Sequence, residues 1–157
     1  MKSKTTLFGH PVHQMLIVFP LGLLAMATVF DAIRLFTGSS ALAIASYYMI
    51  AAGVISGLVA AVFGLIDWLD IPANTRAKSV GAWHAVGNVV VVVLFAASWF
   101  IRRDDPAAPP MFAFLLALAG TGLALVTGWL GGELVDRLGV GVHEGANLDA
   151  PSSLSRR

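Results

Sequence analysis

Four stretches without a charged side chain organise this sequence: Gln14 to Phe30, Leu35 to Ile66, Ser79 to Ile101 and Pro106 to Gly132. Each comes close to the ~20 residues that carry a helix across the hydrocarbon core of a bilayer. Backbone groups in lipid must pair internally, and no run of short alternating segments suggests a barrel, so a helical bundle is the remaining fold class. Composition agrees, because 57% hydrophobic and 12% charged residues, with a mean hydropathy of +0.81, are too apolar for a soluble domain of this size. The expected fold is all-α, an integral membrane four-helix bundle running up-down-up-down with both termini on the same side. Spans are expected near 11–35, 44–69, 80–101 and 111–136. The second stretch exceeds one crossing but falls short of two, and Thr37-Gly38-Ser39-Ser40 marks the turn before it. Residues 1–143 then form the transmembrane domain, and residues 144–157 a disordered cytoplasmic tail.

Orientation follows from lysine and arginine. With the N-terminus, the 70–79 loop and the tail on one side, that side holds Lys2, Lys4, Arg76, Lys78, Arg137, Arg156 and Arg157, against Arg34, Arg102 and Arg103 on the other. This bias places both termini in the cytoplasm. The first apolar run lacks a clear small-x-small cleavage site in the usual place, so it reads as a retained helix rather than a signal peptide. There is no cysteine, which excludes disulfides, thiolate metal sites and covalently attached c-type haem. A net charge of +1 gives no case for nucleic acid as a partner. Nothing matches a nucleotide loop, a nucleophile elbow or an HExxH helix.

All four histidines fall at the ends of the apolar runs, and His10, His13 and His84 lie on the side that collects Asp67, Asp70, Glu133 and Asp136. Ionisable groups at membrane depth are costly and mark functional sites by default. With Pro11 in the first turn of a helix, His10 and His13 would share a face. His84 stands about a turn inside the third span, and Asp67 and Glu133 about a turn inside the ends of the second and fourth. His143, in a glycine-rich stretch, reads as a solvated loop residue. On the opposite side, Asp31 and Arg34 are three apart on the first helix and are expected to form a local ion pair.

Small residues set helix approach in lipid. Gly53, Gly57, Ala60 and Gly64 form one stripe on the second span, and Gly128 and Gly132 a shorter one on the fourth. Both read as packing seams. A weak internal echo accompanies them: Asp67-Trp68-Leu69-Asp70 against Glu133-Leu134-Val135-Asp136, and Gly9-His10-Pro11-Val12-His13 against Gly81-Ala82-Trp83-His84. It suggests two helical hairpins, each with a histidine at its entrance and an acid pair at its exit. Pro20 frees the Leu16 carbonyl and should kink the first helix beside the site.

Three readings fit the polar cluster. In the first, His84 and one of His10 or His13 are axial ligands of a b-type haem, with Asn88, Arg76 and Lys78 orienting ligands or propionates. In the second, His10, His13, Asp67, His84 and Glu133 bind zinc, iron or manganese, although the Glu-x-x-His spacing of carboxylate-bridged centres is missing. In the third, the cluster holds no cofactor and locks the bundle or relays protons. Trp68, Trp83 and Trp129 either wall such a site or belong to an interfacial aromatic belt.

The opening Gly9-His10-Pro11-Val12-His13, with Met15-Leu16-Ile17-Val18-Phe19-Pro20 after it, resembles the bacterial membrane-protein family catalogued as domain of unknown function 2231. The similarity extends to Asp67, to His84 and Asn88, and to Gly131-Gly132-Glu133-Leu134-Val135. It covers most of residues 9–142. The family pattern has a further histidine just before the Phe-Pro, where this sequence has Val18. The resemblance implies a four-helix inner-membrane protein, and the fusion of some relatives to Rieske-type or cytochrome domains implies a redox setting. Haem b electron transfer is therefore the leading expectation, in a small subunit working with a redox partner protein rather than in a stand-alone enzyme. The alternative is a metal-binding or purely structural membrane module.

Overall fold

A computed structural model describes residues 1–155. A two-residue ladder of β1 (Thr6–Leu7) and β2 (His10–Pro11) leads into α1 (Val12–Leu16) and α2 (Val18–Thr37). Then follow α3 (Ser40–Asp70), α4 (Arg76–Ile101), α5 (Met111–Gly132) and a π-helical turn over Glu133–Arg137. Four spans are long and apolar enough to cross a membrane: Val12–Thr37, Ser40–Asp70, Arg76–Ile101 and Met111–Arg137. The fold is a membrane four-helix bundle. In it, α2 packs against α3 and α5, and α4 packs against the same two. So α3 and α5 stand diagonally, as do the first span and α4.

Local chemistry sets the helix ends. Gly38 closes α2 with φ 68°, the left-handed conformation that glycine adopts without penalty. Ser39 and Thr75 cap α3 and α4 by accepting from the backbone N–H of Leu42 and Lys78. These caps lie ahead of the most apolar segments, which is why α3 and α4 begin about a turn before the hydropathy-based bounds. The first span breaks between α1 and α2, where Ile17 N–H bonds back to His13 O. Pro20 supplies the cause: it has no N–H to offer the Leu16 carbonyl. Residues 144–155 form turns and irregular chain without helix or strand, and Arg156 and Arg157, counted above for orientation and for the tail, lie outside the described residues.

At the end of the bundle remote from His13 and His84, one buried network ties three helices together. Arg102 and Asp31 are each 1% exposed, and the guanidinium pairs with both carboxylate oxygens at 3.1 and 2.9 Å. It also donates to Ser46 Oγ at 3.2 Å, Ser98 Oγ at 2.9 Å and Ser98 O at 3.3 Å. Every guanidinium N–H thus has an acceptor, the condition for keeping this charge in a low-dielectric interior. The expected Asp31–Arg34 pair is corrected here. Asp31 points into the bundle, where Arg102 reaches it from α4, and a contact between residues so far apart in sequence leaves no local spacing to read.

The core beside this network is Leu24, Ala27, Ile50, Val91, Phe95 and Ala117. Close approach in the first hairpin uses the expected stripe. A side-chain carbon on Gly53 would fall 2.5 Å from Leu24, and one on Gly57 would touch Pro20. The second stripe is corrected: Gly128 and Gly132 face open space, and α5 packs instead through Gly120 against Phe95 and Gly131 against His84.

Breaking a buried ion pair strands one charge. Arg102→Met should therefore lower the unfolding free energy in detergent by about 3–5 kcal/mol. The double variant Asp31→Leu/Arg102→Met should recover most of that loss in the same denaturation series.

Candidate functional site

Two histidines meet inside the other end of the bundle. His13 on α1 reaches across to α3, where its Nδ1 lies 2.8 Å from Ala60 O. His84 on α4 reaches across to α5, where its Nδ1 lies 2.8 Å from Thr127 O. A carbonyl oxygen only accepts, so each Nδ1 carries a proton, and in the neutral ring each Nε2 presents a lone pair. The ring centres are 6.4 Å apart and the planes stand at 86°.

Each imidazole sits against a glycine four residues beyond its carbonyl partner. A side-chain carbon on Gly64 would come within 2.8 Å of His13 Cε1, and one on Gly131 within 3.1 Å of His84 Cε1. The two hairpins thus repeat one device: a histidine on the first helix, a backbone acceptor on the second, and a glycine one turn on that leaves room for the ring. The internal echo is realised in these glycines and carbonyls more than in the acid pairs.

Asn88 and Thr127 complete the His84 side. Asn88 Nδ2 lies 3.2 Å from His84 Nε2 and 2.8 Å from His84 O, while Thr127 Oγ1 donates to Asn88 Oδ1 at 3.1 Å. Asn88 was legible from the sequence. Thr127 was not, although a threonine four residues before Gly131 inside an apolar run was the available signal. The backbone carbonyl of Ala60 left no signal at all.

The remaining expected site residues go elsewhere. His10 belongs to β2, not to a helix, and is exposed, with its Nε2 3.4 Å from Ser153 Oγ. Pro11 is the cap of α1 rather than part of its first turn, so His10 and His13 do not share a helical face. Asp67 holds Ser3 Oγ at 2.7 and 2.8 Å and Lys4 N at 3.1 Å. Glu133 pairs with Arg76 at 2.6 Å, which occupies both residues away from the imidazoles. Lys78 donates to Trp68 O at 2.7 Å and lies 4.0 Å above the Trp68 ring. Trp83 and Trp129 are 71% and 67% exposed and face outward as an aromatic belt does. Among the described residues, no three of His, Asp and Glu come together as a metal-binding group.

The family described as a predicted membrane protein (DUF2231) matches residues 9–144. The chain belongs to this family. The match takes in both histidines of the pair, their carbonyl partners and both seating glycines. No curated protein and no solved structure matches the chain.

The seating glycines give a direct test of this geometry. Gly64→Ala overpacks against an imidazole held at its other side, which should cost about 1–3 kcal/mol in a detergent unfolding titration. Gly128→Ala, at a glycine with open space around it, should leave the same titration unchanged or slightly improved.

Proposed function

We propose that His13 and His84 are the functional centre of this protein and that together they ligate a b-type haem for electron transfer. The observation that carries this reading is the pair of imidazoles with both Nδ1 atoms tied to backbone carbonyls. Such second contacts fix the tautomer and ring orientation of histidine ligands and raise their basicity, leaving Nε2 for a metal. His13 on α1 and His84 on α4, with ring centres 6.4 Å apart, would hold the group.

The donor set narrows the choice further. Two imidazoles without thiolate or carboxylate are too few for structural zinc, which takes four protein ligands. They would suit haem, which takes one or two ligands from the protein, commonly histidine. Haem bound here would supply one-electron chemistry. The chain's own residues hold and orient the two nitrogens, and Asn88 governs access to one of them. In this reading the protein is a small inner-membrane subunit with its termini in the cytoplasm, as the lysine and arginine bias favours. Its partner is a second redox protein.

One observation favours a different reading. Asn88 Nδ2 already faces His84 Nε2 at 3.2 Å, as a hydrogen-bonded lock without cofactor would require. A reduced-minus-oxidised visible spectrum of protein made with haem supply intact separates the two. The haem reading predicts a Soret band with sharp α and β bands, lost in His84→Ala and in His13→Ala. A featureless spectrum from a folded, haem-supplied preparation rejects haem and leaves the lock.

A further inference from the structure

The chain ahead of α1 folds back over the histidine end of the bundle. Ser3 is 5% exposed and its hydroxyl lies against both oxygens of Asp67, near the end of α3. Lys4 adds a backbone N–H to Asp67 and an ammonium to Asp70 at 2.6 Å. On the other flank, the Met1 amino group donates to Gly139 O at 2.8 Å, and Gly141 N donates to Met1 O at 2.8 Å. Thr5 O accepts from Val12 N at 3.0 Å, which joins the segment to the start of α1.

We propose that residues 1–7 form a strap that closes the aqueous mouth above His13 and His84, and that Asp67 is its latch. The strap is anchored to α3 on one side and to the chain following α5 on the other. The Gly139–Gly141 turn lies against Pro11 and Gln14 at the start of the first span, so the strap bridges α3 and α1 over the side where His13 reaches Ala60 O. Asp67 lies three residues past Gly64, the seat of His13, a rise of ~4.5 Å along the helix. The Lys4–Asp70 pair is largely exposed and therefore weak. The bonds to the Asp67 carboxylate are charge-assisted and involve a buried hydroxyl, so they decide whether the strap stays down. Closed, it leaves the imidazoles facing lipid and protein; open, it admits water and small water-borne solutes to them.

This inference rests on the pair being the functional site, but not on haem, because the test is read on the imidazoles themselves. Full-length protein made without added haem, in phospholipid nanodiscs, is treated with diethylpyrocarbonate, and the modification of each histidine is followed by mass spectrometry. Deuterium uptake over residues 2–8 is measured in parallel. Asp67→Ala should speed modification of His13 and His84 about tenfold or more, as loss of a hydrogen bond to a charged group implies. His143, exposed already, should keep its rate. Ser3→Ala, which retains the carboxylate, should act in the same direction and serves as the deciding variant if Asp67→Ala loses its helical signal. Faster uptake with unchanged His13 and His84 rates would show that the strap does not cover the pair. Unchanged uptake in a folded variant would show that Asp67 is not the latch.

Discussion

Hydrocarbon offers no hydrogen-bond partner, so a polar group that enters this bundle is costly unless it finds one within the chain; among the described residues, Trp99 Nε1 on α4 is a buried exception. That constraint explains the arrangement at both ends. Arg102 is held by Asp31, Ser46 and Ser98 until none of its N–H groups is free. His13 and His84 each give one N–H to a carbonyl of the neighbouring helix. Between the ends, Thr28 and Thr121 meet across α2 and α5 at 2.8 Å, where one hydroxyl donates to the other and the acceptor's own proton is within reach of a carbonyl of its helix. Polar residues in this protein are thus cross-links, and their positions record where helices touch.

The two ends differ in what is left over. The arginine network is closed, with the charges neutralised and the donors spent, which suits a structural role. At the histidine end each imidazole uses one nitrogen for anchoring and keeps the other as an acceptor or ligand. Both rings are carried by a helix pair with the same device, so the centre lies between two similar halves rather than within either. Carboxylates near this end serve the surface: Asp67 holds the strap and Glu133 holds Arg76.

Much of the fold was legible because periodic apolar length is a strong local signal. The four spans, the turn at Thr37 to Ser40 and the break caused by Pro20 all follow from single residues or short runs. The pairing of Asp31 was missed because proximity in sequence favoured Arg34, whereas the partner lies on another span. His10 was misplaced because Pro11 suits a first helical turn as well as it suits the cap it occupies. Asp67 and Glu133 share the depth of the histidines, but depth says nothing of azimuth, and both turn toward polar partners outside the pair. His13, His84 and Asn88 were found as residues, while the backbone acceptors that orient them carry no side-chain signature.

The central claim is that both imidazoles are fixed as Nδ1–H tautomers by helix carbonyls, with Nε2 unprotonated. Nitrogen-15 NMR of histidine-labelled protein in nanodiscs reads this directly, since protonated and bare ring nitrogens resonate far apart. The account predicts a protonated Nδ1 and an unprotonated Nε2 for both His13 and His84. A proton on Nε2 with a bare Nδ1 at either residue would contradict it, because the carbonyl anchor and the free ligating nitrogen would both be lost there.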